Sequence, residues 1–312
     1  MGEAVIRTEG LTKYYGKVQA LVDLDLEIPA GEIFGYLGPN GAGKTTTIRC
    51  LMDEIRPTRG SAQILGKDTH KDAVELHRHI GYLPGDLALY PRLTGNETIT
   101  YFANLRGGVD WSWVEELAER LDADLGKKVG ELSSGNRQKV GLIQAFMSRP
   151  RVLILDEPSS GLDPLVQREL QRLMREAAAE GATVFLSSHT LSEVQRVAHR
   201  VGIIRKGRLV ALETVQALRA KAMRRVELEL DRQPEAAFFE ALSGVRDVVV
   251  ENHHAMMSYD GEMGALLRAV QERYEIVDVS TQAADLEEVF LTYYHDPDQP
   301  DPVPTAEGGS AE

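Results

Sequence analysis

The chain has 312 residues and a formal net charge of −13, with 35 lysines and arginines against 48 aspartates and glutamates. Its length allows two domains, since single hydrophobic cores stop growing near ~250–300 residues. A composition of 43% hydrophobic and 27% charged residues is typical of folded proteins and excludes a mainly disordered chain.

Several classes of protein are disfavoured by the same sequence. The longest concentrated apolar run, Val152–Leu155, is far shorter than the roughly 18–20 residues of a transmembrane helix. Residues 1–4 carry no basic or apolar signal region, so we expect a cytosolic chain. A single cysteine, Cys50, excludes an internal disulfide and a cysteine-based zinc site. The acidic balance argues against nucleic acid as a partner.

Residues 1–220 alternate predicted strands and helices. Apolar patterns predict strands at Val5–Arg7, Leu24–Ile28, Ile33–Leu37, Val152–Leu155, Thr183–Leu186 and Val201–Ile204. A helix is predicted from Lys44 to about Glu54, and residues 86–148 are predicted to form a helical insertion. This order predicts an α/β domain in which a mixed sheet is flanked by helices.

A second domain is predicted over residues 225–295. Strands and helices follow in the order β-α-β-β-α-β, which suggests a small α+β, ferredoxin-like domain. A last helix is predicted at Ala284–Tyr294. Residues 296–312 contain four prolines, five acidic residues and no basic residue, so we predict a disordered tail.

A glycine-rich loop between a predicted strand and a predicted helix carries the first chemical signal. Its sequence fits G-x-x-x-x-G-K-[ST], with phosphate-binding candidates Gly38, Pro39, Asn40, Gly41, Ala42, Gly43, Lys44, Thr45 and Thr46. Such a loop turns its backbone N–H groups and a helix N-terminus toward a phosphate. Lys44 supplies positive charge, and the Thr45 hydroxyl is a candidate Mg²⁺ ligand. Kinases, GTPases and transport ATPases all remain open at this point.

Two acidic residues follow the strand Val152–Leu155. Asp156 is placed to hold Mg²⁺ through water, and Glu157 to polarise an attacking water. A solvated turn is the alternative, but the following segment, Pro158–Pro164, disfavours it. Within that segment, Asp163 and Pro164 also fit the N-cap and first residue of a helix.

With these motifs in order, residues 5–218 resemble the nucleotide-binding subunit of an ABC transporter, an α/β P-loop NTPase cassette that uses ATP and Mg²⁺. The resemblance makes Glu157 and His189 catalytic, with His189 contacting the γ-phosphate. It places Asp163 in the D-loop and assigns Tyr15 to stack on adenine. Without the family, a lone histidine or tyrosine at these positions would more often be structural. We also predict a capping box at Thr190–Glu193.

Two motifs depart from the family pattern. The signature, usually Leu-Ser-Gly-Gly-Gln, reads here as Leu132, Ser133, Ser134, Gly135 and Asn136; in the family it contacts the nucleotide of the opposite subunit. Gly85 stands where the Q-loop usually has glutamine, and Asp86 is the nearest substitute.

The resemblance extends to drug and antibiotic exporters through Leu89–Thr94 and through Asp285–Phe290. It implies an ATP-driven homodimer, or a heterodimer with a second cassette, bound to a polytopic membrane subunit at the cytoplasmic face of the membrane. A lipid or cell-envelope polymer exporter, a soluble ABC ATPase and a non-catalytic regulatory subunit are the alternatives.

Overall fold

The computed structural model describes residues 4–221 and 224–282, without the side chains of residues 219–221 and 282. The chain divides into two compact units between Val215 and Gln216. Across the described ranges, no helix combines the length and apolar composition needed to cross a membrane. The predicted helix at Ala284–Tyr294, the exporter motif at Asp285–Phe290 and the tail lie outside these ranges.

The first unit is built on two sheets. Its strands are β1 (Ala4–Tyr15), β2 (Val18–Pro29), β3 (Ile33–Leu37), β4 (Arg59–Ile64), β5 (Lys67–Asp68), β6 (Ile80–Leu83), β7 (Val152–Asp156), β8 (Thr183–Ser188), β9 (Arg200–Arg205) and β10 (Arg208–Thr214). One sheet has the order β2-β1-β4-β5, and the other β10-β9-β3-β8-β7-β6. In the second sheet the neighbours from β9 to β6 are parallel, and β10 is antiparallel to β9.

Helices connect and flank these strands. They are α1 (Lys44–Leu51), α2 (Ala73–Leu76), α3 (Gly95–Leu105), α4 (Trp111–Arg120), α5 (Ser134–Phe146), α6 (Pro164–Ala179) and α7 (Leu191–Val194), with a short 3₁₀ helix at Val129–Glu131. The next helix, α8 (Val215–Lys221), begins at the boundary between the two units. Residues 86–148 therefore carry helices and no strand, as the periodicity predicts.

The central strands of the parallel sheet explain where the site lies. Every residue of β3, β7 and β8 is buried, because helices cover both faces of such sheets and require continuous apolar strands. The rings of Phe34, Tyr36 and Phe185 pack together within this layer, with centroids 5.2–6.4 Å apart. Parallel strands end at the same edge, so the residues after Leu37, Leu155 and Leu186 are brought together.

Two details of the first unit differ from the sequence predictions. The prediction that α1 reaches Glu54 is wrong: the helix ends at Leu51, and Asp53 adopts the left-handed conformation with φ 54°. The capping box predicted at Thr190 is also wrong, since that side chain makes no capping bond. The Ser188 hydroxyl instead accepts from the Thr190 N–H at 2.9 Å and donates to Glu193.

The second unit has the predicted β-α-β-β-α-β order. Its elements are β11 (Arg224–Leu230), α9 (Ala236–Glu240), β12 (Val245–Glu251), β13 (His254–Tyr259), α10 (Met263–Gln271) and β14 (Ile276–Gln282). The antiparallel sheet has the order β12-β13-β11-β14. This strand order, with two helices packed on one face, is that of a ferredoxin-like fold. Fully buried Leu228, Phe239 and Val270 lie at its core.

Candidate nucleotide-binding site

The phosphate loop joins β3 to α1, as its flanking patterns predict. Gly43 is the N-cap of α1 with φ 116°, and a Cβ there would lie 2.7 Å from the carbonyl oxygen of Ala20, so only glycine fits. The Lys44 side chain is 6% exposed. Its Nζ donates to the carbonyl oxygens of Gly38 at 2.6 Å and Pro39 at 3.4 Å. The lysine charge is thus held over the loop itself.

The rest of the loop presents its backbone to solvent at the edge of the sheet. Pro39, Asn40 and Gly41 are exposed, whereas Ala42 is buried. Thr45 is exposed and Thr46 is half-buried, both in the first turn of α1. This turn has no acidic residue of its own, so no side chain within the turn offsets the positive end of the helix.

Thr45 and Asp156 meet although 111 residues separate them in the chain. The Thr45 hydroxyl donates to Asp156 Oδ2 at 2.9 Å. Asp156 ends β7 and is 1% exposed. A hydroxyl and a carboxylate oxygen are the types of ligand that Mg²⁺ accepts from proteins. In the described ranges, no three His, Cys, Asp or Glu side chains cluster as a metal cage.

Glu157 bridges two other candidate residues. Its Oε1 lies 3.3 Å from Lys44 Nζ, and its Oε2 lies 2.8 Å from Nδ1 of His189. The residue has a left-handed backbone, with φ 50°, which is uncommon for a residue with a side chain. Glu157 is part-buried and His189 is exposed. The Glu157 carboxylate therefore lies between Lys44 and His189 and is partly exposed to solvent.

Tyr15 lies apart from these contacts, at the end of β1. Its ring is 45% exposed, and Lys13 Nζ lies 5.2 Å from the ring centroid. An exposed aromatic face next to a cation is available for stacking on a base.

The signature residues form the N-terminus of α5. Ser133 is the N-cap, and its hydroxyl accepts from the Asn136 N–H at 3.2 Å. Ser134, Gly135 and Asn136 form the first turn, which contains no acidic residue, while Leu132 is buried before it. The replacement of glycine by Ser134 leaves this helix start intact.

Gln138 was not singled out by the sequence. Its Nε2 donates to the carbonyl oxygens of Pro158 at 3.1 Å and Glu157 at 3.4 Å. The signature helix is thereby attached to the loop that follows the two acids. Glutamine on a helix gives no sequence signal for such a contact.

Asp163, the predicted D-loop residue, caps α6. Its Oδ1 accepts from the N–H groups of Val166 at 3.1 Å and Leu165 at 3.0 Å, and Pro164 is the first helical residue. The Val166 N–H is the main cause that lowers the pKa of the Asp163 carboxyl. Both halves of this prediction, N-cap and helix start, are therefore found in the structure.

The Q-loop region lies beside the metal-ligand candidate. A Cβ on Gly85 would lie 3.0 Å from Asp156 Oδ2, so the backbone after β6 closely approaches that carboxylate. Asp86 lies in the same exposed bend. Contacts thus join Lys44, Thr45, Asp156, Glu157 and His189 in one group, with Gly85 beside it.

Comparisons with known proteins indicate one protein family. A family model described as "ABC transporter" matches residues 21–160. The bacitracin transport ATP-binding protein BcrA of Bacillus licheniformis is 33% identical over 294 residues, covering 92% of this chain and 96% of the relative. The daunorubicin resistance ATP-binding protein DrrA3 of Streptomyces coeruleorubidus is 34% identical, covering 93% and 96%. A solved ATP-binding subunit of an ABC transporter has 31% identity and a TM-score of 0.64, covering 70% of this chain and 92% of that chain.

Proposed function

The chain belongs to the family of ABC transporter ATP-binding subunits, which hydrolyse ATP, and on this premise we propose that it powers export through a separate membrane subunit. The proposed cargo is an antibiotic, a drug or another hydrophobic compound. The relatives named for bacitracin transport and daunorubicin resistance support this choice, because each aligns over more than nine-tenths of this chain.

The observation that carries the catalytic part is the contact series from Lys44 through Glu157 to His189. Lys44 is placed to bind the β- and γ-phosphates. Glu157 acts as the general base toward the attacking water. His189 orients the Glu157 carboxylate and contacts the γ-phosphate. Thr45 and Asp156 would hold Mg²⁺, and the ion would supply positive charge to neutralise the phosphates. Asp86 is proposed as the nearest substitute for the Q-loop glutamine.

We assign Tyr15 to the adenine and the N-terminus of α5 to the γ-phosphate of an opposing subunit. A capped helix start without acidic residues attracts anions. The proposed assembly is a head-to-tail pair of cassettes, as a homodimer or with a second cassette. Ser133→Arg should prevent ATP-driven dimerisation and leave ATP binding by the monomer intact. Ser112→Arg, on the first turn of α4, is the matched control; equal loss of ATP binding with Ser133→Arg would refute the role in trans.

A groove between the insertion and the segments that precede it is the proposed contact with the membrane subunit at the cytoplasmic face of the membrane. It has a volume of about 320 Å³ and is lined by Met52, Glu54, His77, Ile80, Tyr82, Pro84, Leu87, Ala88, Leu89, Phe102, Arg106 and Gln144. Tyr90, Tyr101 and Leu105 on the adjoining segments are 42–67% exposed. Such a surface fits a short amphipathic helix.

Arg106 gives this groove a charge preference. Its guanidinium donates to the carbonyl oxygens of Ile80 at 2.8 Å and His77 at 3.4 Å. Burial lowers the pKa of Arg106, so its charge has lost part of its hydration. A helix that offers apolar side chains and one carboxylate would suit the groove best.

The test is recovery of partners by the tagged chain from detergent-solubilised membranes, with identification by mass spectrometry. A polytopic membrane protein in near-equal amount is expected. Leu105→Asp should abolish its recovery, whereas Val74→Asp, on a residue 79% exposed on α2, should not. Recovery of ribosomes or DNA would favour a soluble ABC ATPase. A lipid or cell-envelope polymer exporter is the alternative that the identity of the membrane partner would decide.

A further inference from the structure

Ser187 is a buried residue that touches both acids of the site. It lies on β8, directly opposite Asp156 on the neighbouring parallel strand. Its side chain is 0% exposed. The Ser187 hydroxyl donates a short hydrogen bond to Asp156 Oδ1 and accepts from the Glu157 N–H at 3.1 Å. One hydroxyl thus donates to Asp156, the proposed metal ligand, and accepts from Glu157, the proposed general base.

The contact to Asp156 determines how that carboxylate is turned. One oxygen, Oδ1, is held by Ser187, and the other, Oδ2, faces the Thr45 hydroxyl at 2.9 Å. Rotation of the carboxylate about its Cβ–Cγ bond would break the hydrogen bond to Oδ1, so this contact opposes it. The oxygen on the side of the phosphate loop therefore keeps its direction toward a metal ion.

The contact to Glu157 acts on the backbone. The Glu157 N–H also lies 3.3 Å from the Ser187 carbonyl oxygen, so one residue supplies both acceptors for that donor. Glu157 needs such support because its left-handed φ of 50° is disfavoured for a residue with a Cβ. This conformation directs its side chain toward Lys44 and His189 instead of continuing the strand.

We propose that Ser187 is a positioning residue, whose single hydroxyl fixes the Asp156 carboxylate and the Glu157 backbone relative to each other. It thereby holds the metal ligand and the general base in one geometry. The inference rests on the proposed roles of those two acids. Ser187 itself contacts neither nucleotide nor water in the reaction.

A purely structural role for a buried hydroxyl is the competing explanation, and β8 offers a matched control. Thr183 lies at the other end of the same strand and is also 0% exposed. Its hydroxyl donates to the Pro29 carbonyl oxygen at 3.3 Å and accepts from the Gly31 N–H at 3.2 Å. It makes the same number of hydrogen bonds, far from the acids along the strand.

The experiment compares Ser187→Ala with Thr183→Val in the full chain, by steady-state ATPase kinetics at varied ATP and Mg²⁺. Losing a hydrogen bond to a charged group predicts a kcat about 10- to 100-fold lower for Ser187→Ala. KM for ATP should change less than about twofold, and the half-saturating Mg²⁺ concentration should rise. Thr183→Val should keep kcat within about twofold of the unsubstituted chain, even if its Tm falls as much as that of Ser187→Ala. An unchanged kcat for Ser187→Ala, or an equal loss in both variants, would overturn the proposal.

A second measurement separates action through Glu157 from a direct effect. In single-turnover assays, Ser187→Ala should lower the rate of Glu157→Gln by clearly less than it lowers the unsubstituted rate, because the two residues act as a unit. An undiminished effect would overturn the part of the proposal that acts through Glu157 and leave only the contact with Asp156. If Lys44→Ala retains turnover, the proposed assignment of the phosphate loop and of the acids beside it fails; if only Ser187→Ala is fully active, the failure is confined to Ser187.

Discussion

The two units bury different kinds of residue. At the edge of the parallel sheet in the first unit, Lys44, Asp156 and Ser187 are 0–6% exposed. In the described part of the second unit, Ser258 is the only buried residue of the polar or charged class. The other buried residues there are hydrophobic. Both units contain a sheet with helices, so the contrast does not come from the class of fold.

The contrast indicates what each unit is built for. Burying a charged group costs free energy unless it is paired and hydrogen-bonded. In the first unit the carbonyl oxygen of Gly38 and the carboxylate of Glu157 compensate Lys44, and the proposed phosphate binding would use that buried cation. The second unit has an apolar core of the type that gives stability alone. Substitutions should therefore change rate in the first unit and folding in the second.

Lys44→Ala should have the largest effect on rate. It removes the cation that the loop holds toward the phosphates, so ATP turnover by the purified chain should fall to background. The measurement is phosphate release at saturating ATP. Lys71→Ala, an exposed lysine, should keep full turnover. Persistent turnover in Lys44→Ala would end the assignment of the phosphate loop.

Glu157→Gln should bind ATP and hydrolyse it about 10²–10⁴-fold more slowly. The amide keeps the shape of the side chain and its contact with His189, but it does not accept a proton from water. Binding of a fluorescent ATP analogue and single-turnover hydrolysis measure the two steps separately. Glu115→Gln, on the exposed face of α4, is the charge-matched control. A rate close to that of the unsubstituted chain would show that another group is the base.

The parts of this comparison that sequence could predict are those with strong local patterns. The phosphate loop has fixed residue spacing, and the predicted strands Ile33–Leu37 and Val152–Leu155 are continuously apolar because they are buried on both faces. The order of strands and helices in the second unit followed from alternation and helical periodicity.

What was missed depends on tertiary contacts. The strand Arg59–Ile64 is half polar because it lies in a partly exposed sheet, so its alternation is weak. Gln138 and Ser187 carry no motif; they matter because β8 pairs with β7 in register and α5 packs beside the loop after β7. The capping box predicted at Thr190 is absent because the Ser188 hydroxyl accepts from the Thr190 N–H, which the Glu193 side chain would bind in such a box. The order of residues in the sequence does not show which of these contacts form in the folded chain.

Phe239→Ala tests the second unit. The ring is 0% exposed, stacks on Tyr274 with centroids 6.1 Å apart and contacts Phe238 edge-on at 5.1 Å. Its removal should destabilise that unit by about 3–5 kcal/mol, measured as denaturant unfolding or faster proteolysis after residue 224. ATP binding by the first unit should persist. Phe238→Ala, at a half-buried neighbour, should cost less; loss of ATP binding in Phe239→Ala would contradict the separation of roles.

The smallest expected effect concerns Asp163, a polar residue of the first unit whose described contacts serve the helix end. Because backbone N–H groups, Val166 first, lower the pKa of its carboxyl in the folded chain, its charge stabilises folding above its ordinary pKa of about 3.9. That contribution is lost as the pH falls through the lowered folded pKa. At pH 7, Asp163→Ala should lower the Tm of the first unit by about 2–4 °C. Asp163→Asn, which keeps the accepting oxygen, should lose less, and its difference from the unsubstituted chain should narrow between pH 7 and pH 3 in calorimetry. A difference independent of pH would mean that the cap acts through the oxygen acceptor alone and that the carboxylate charge contributes nothing to the stability of α6.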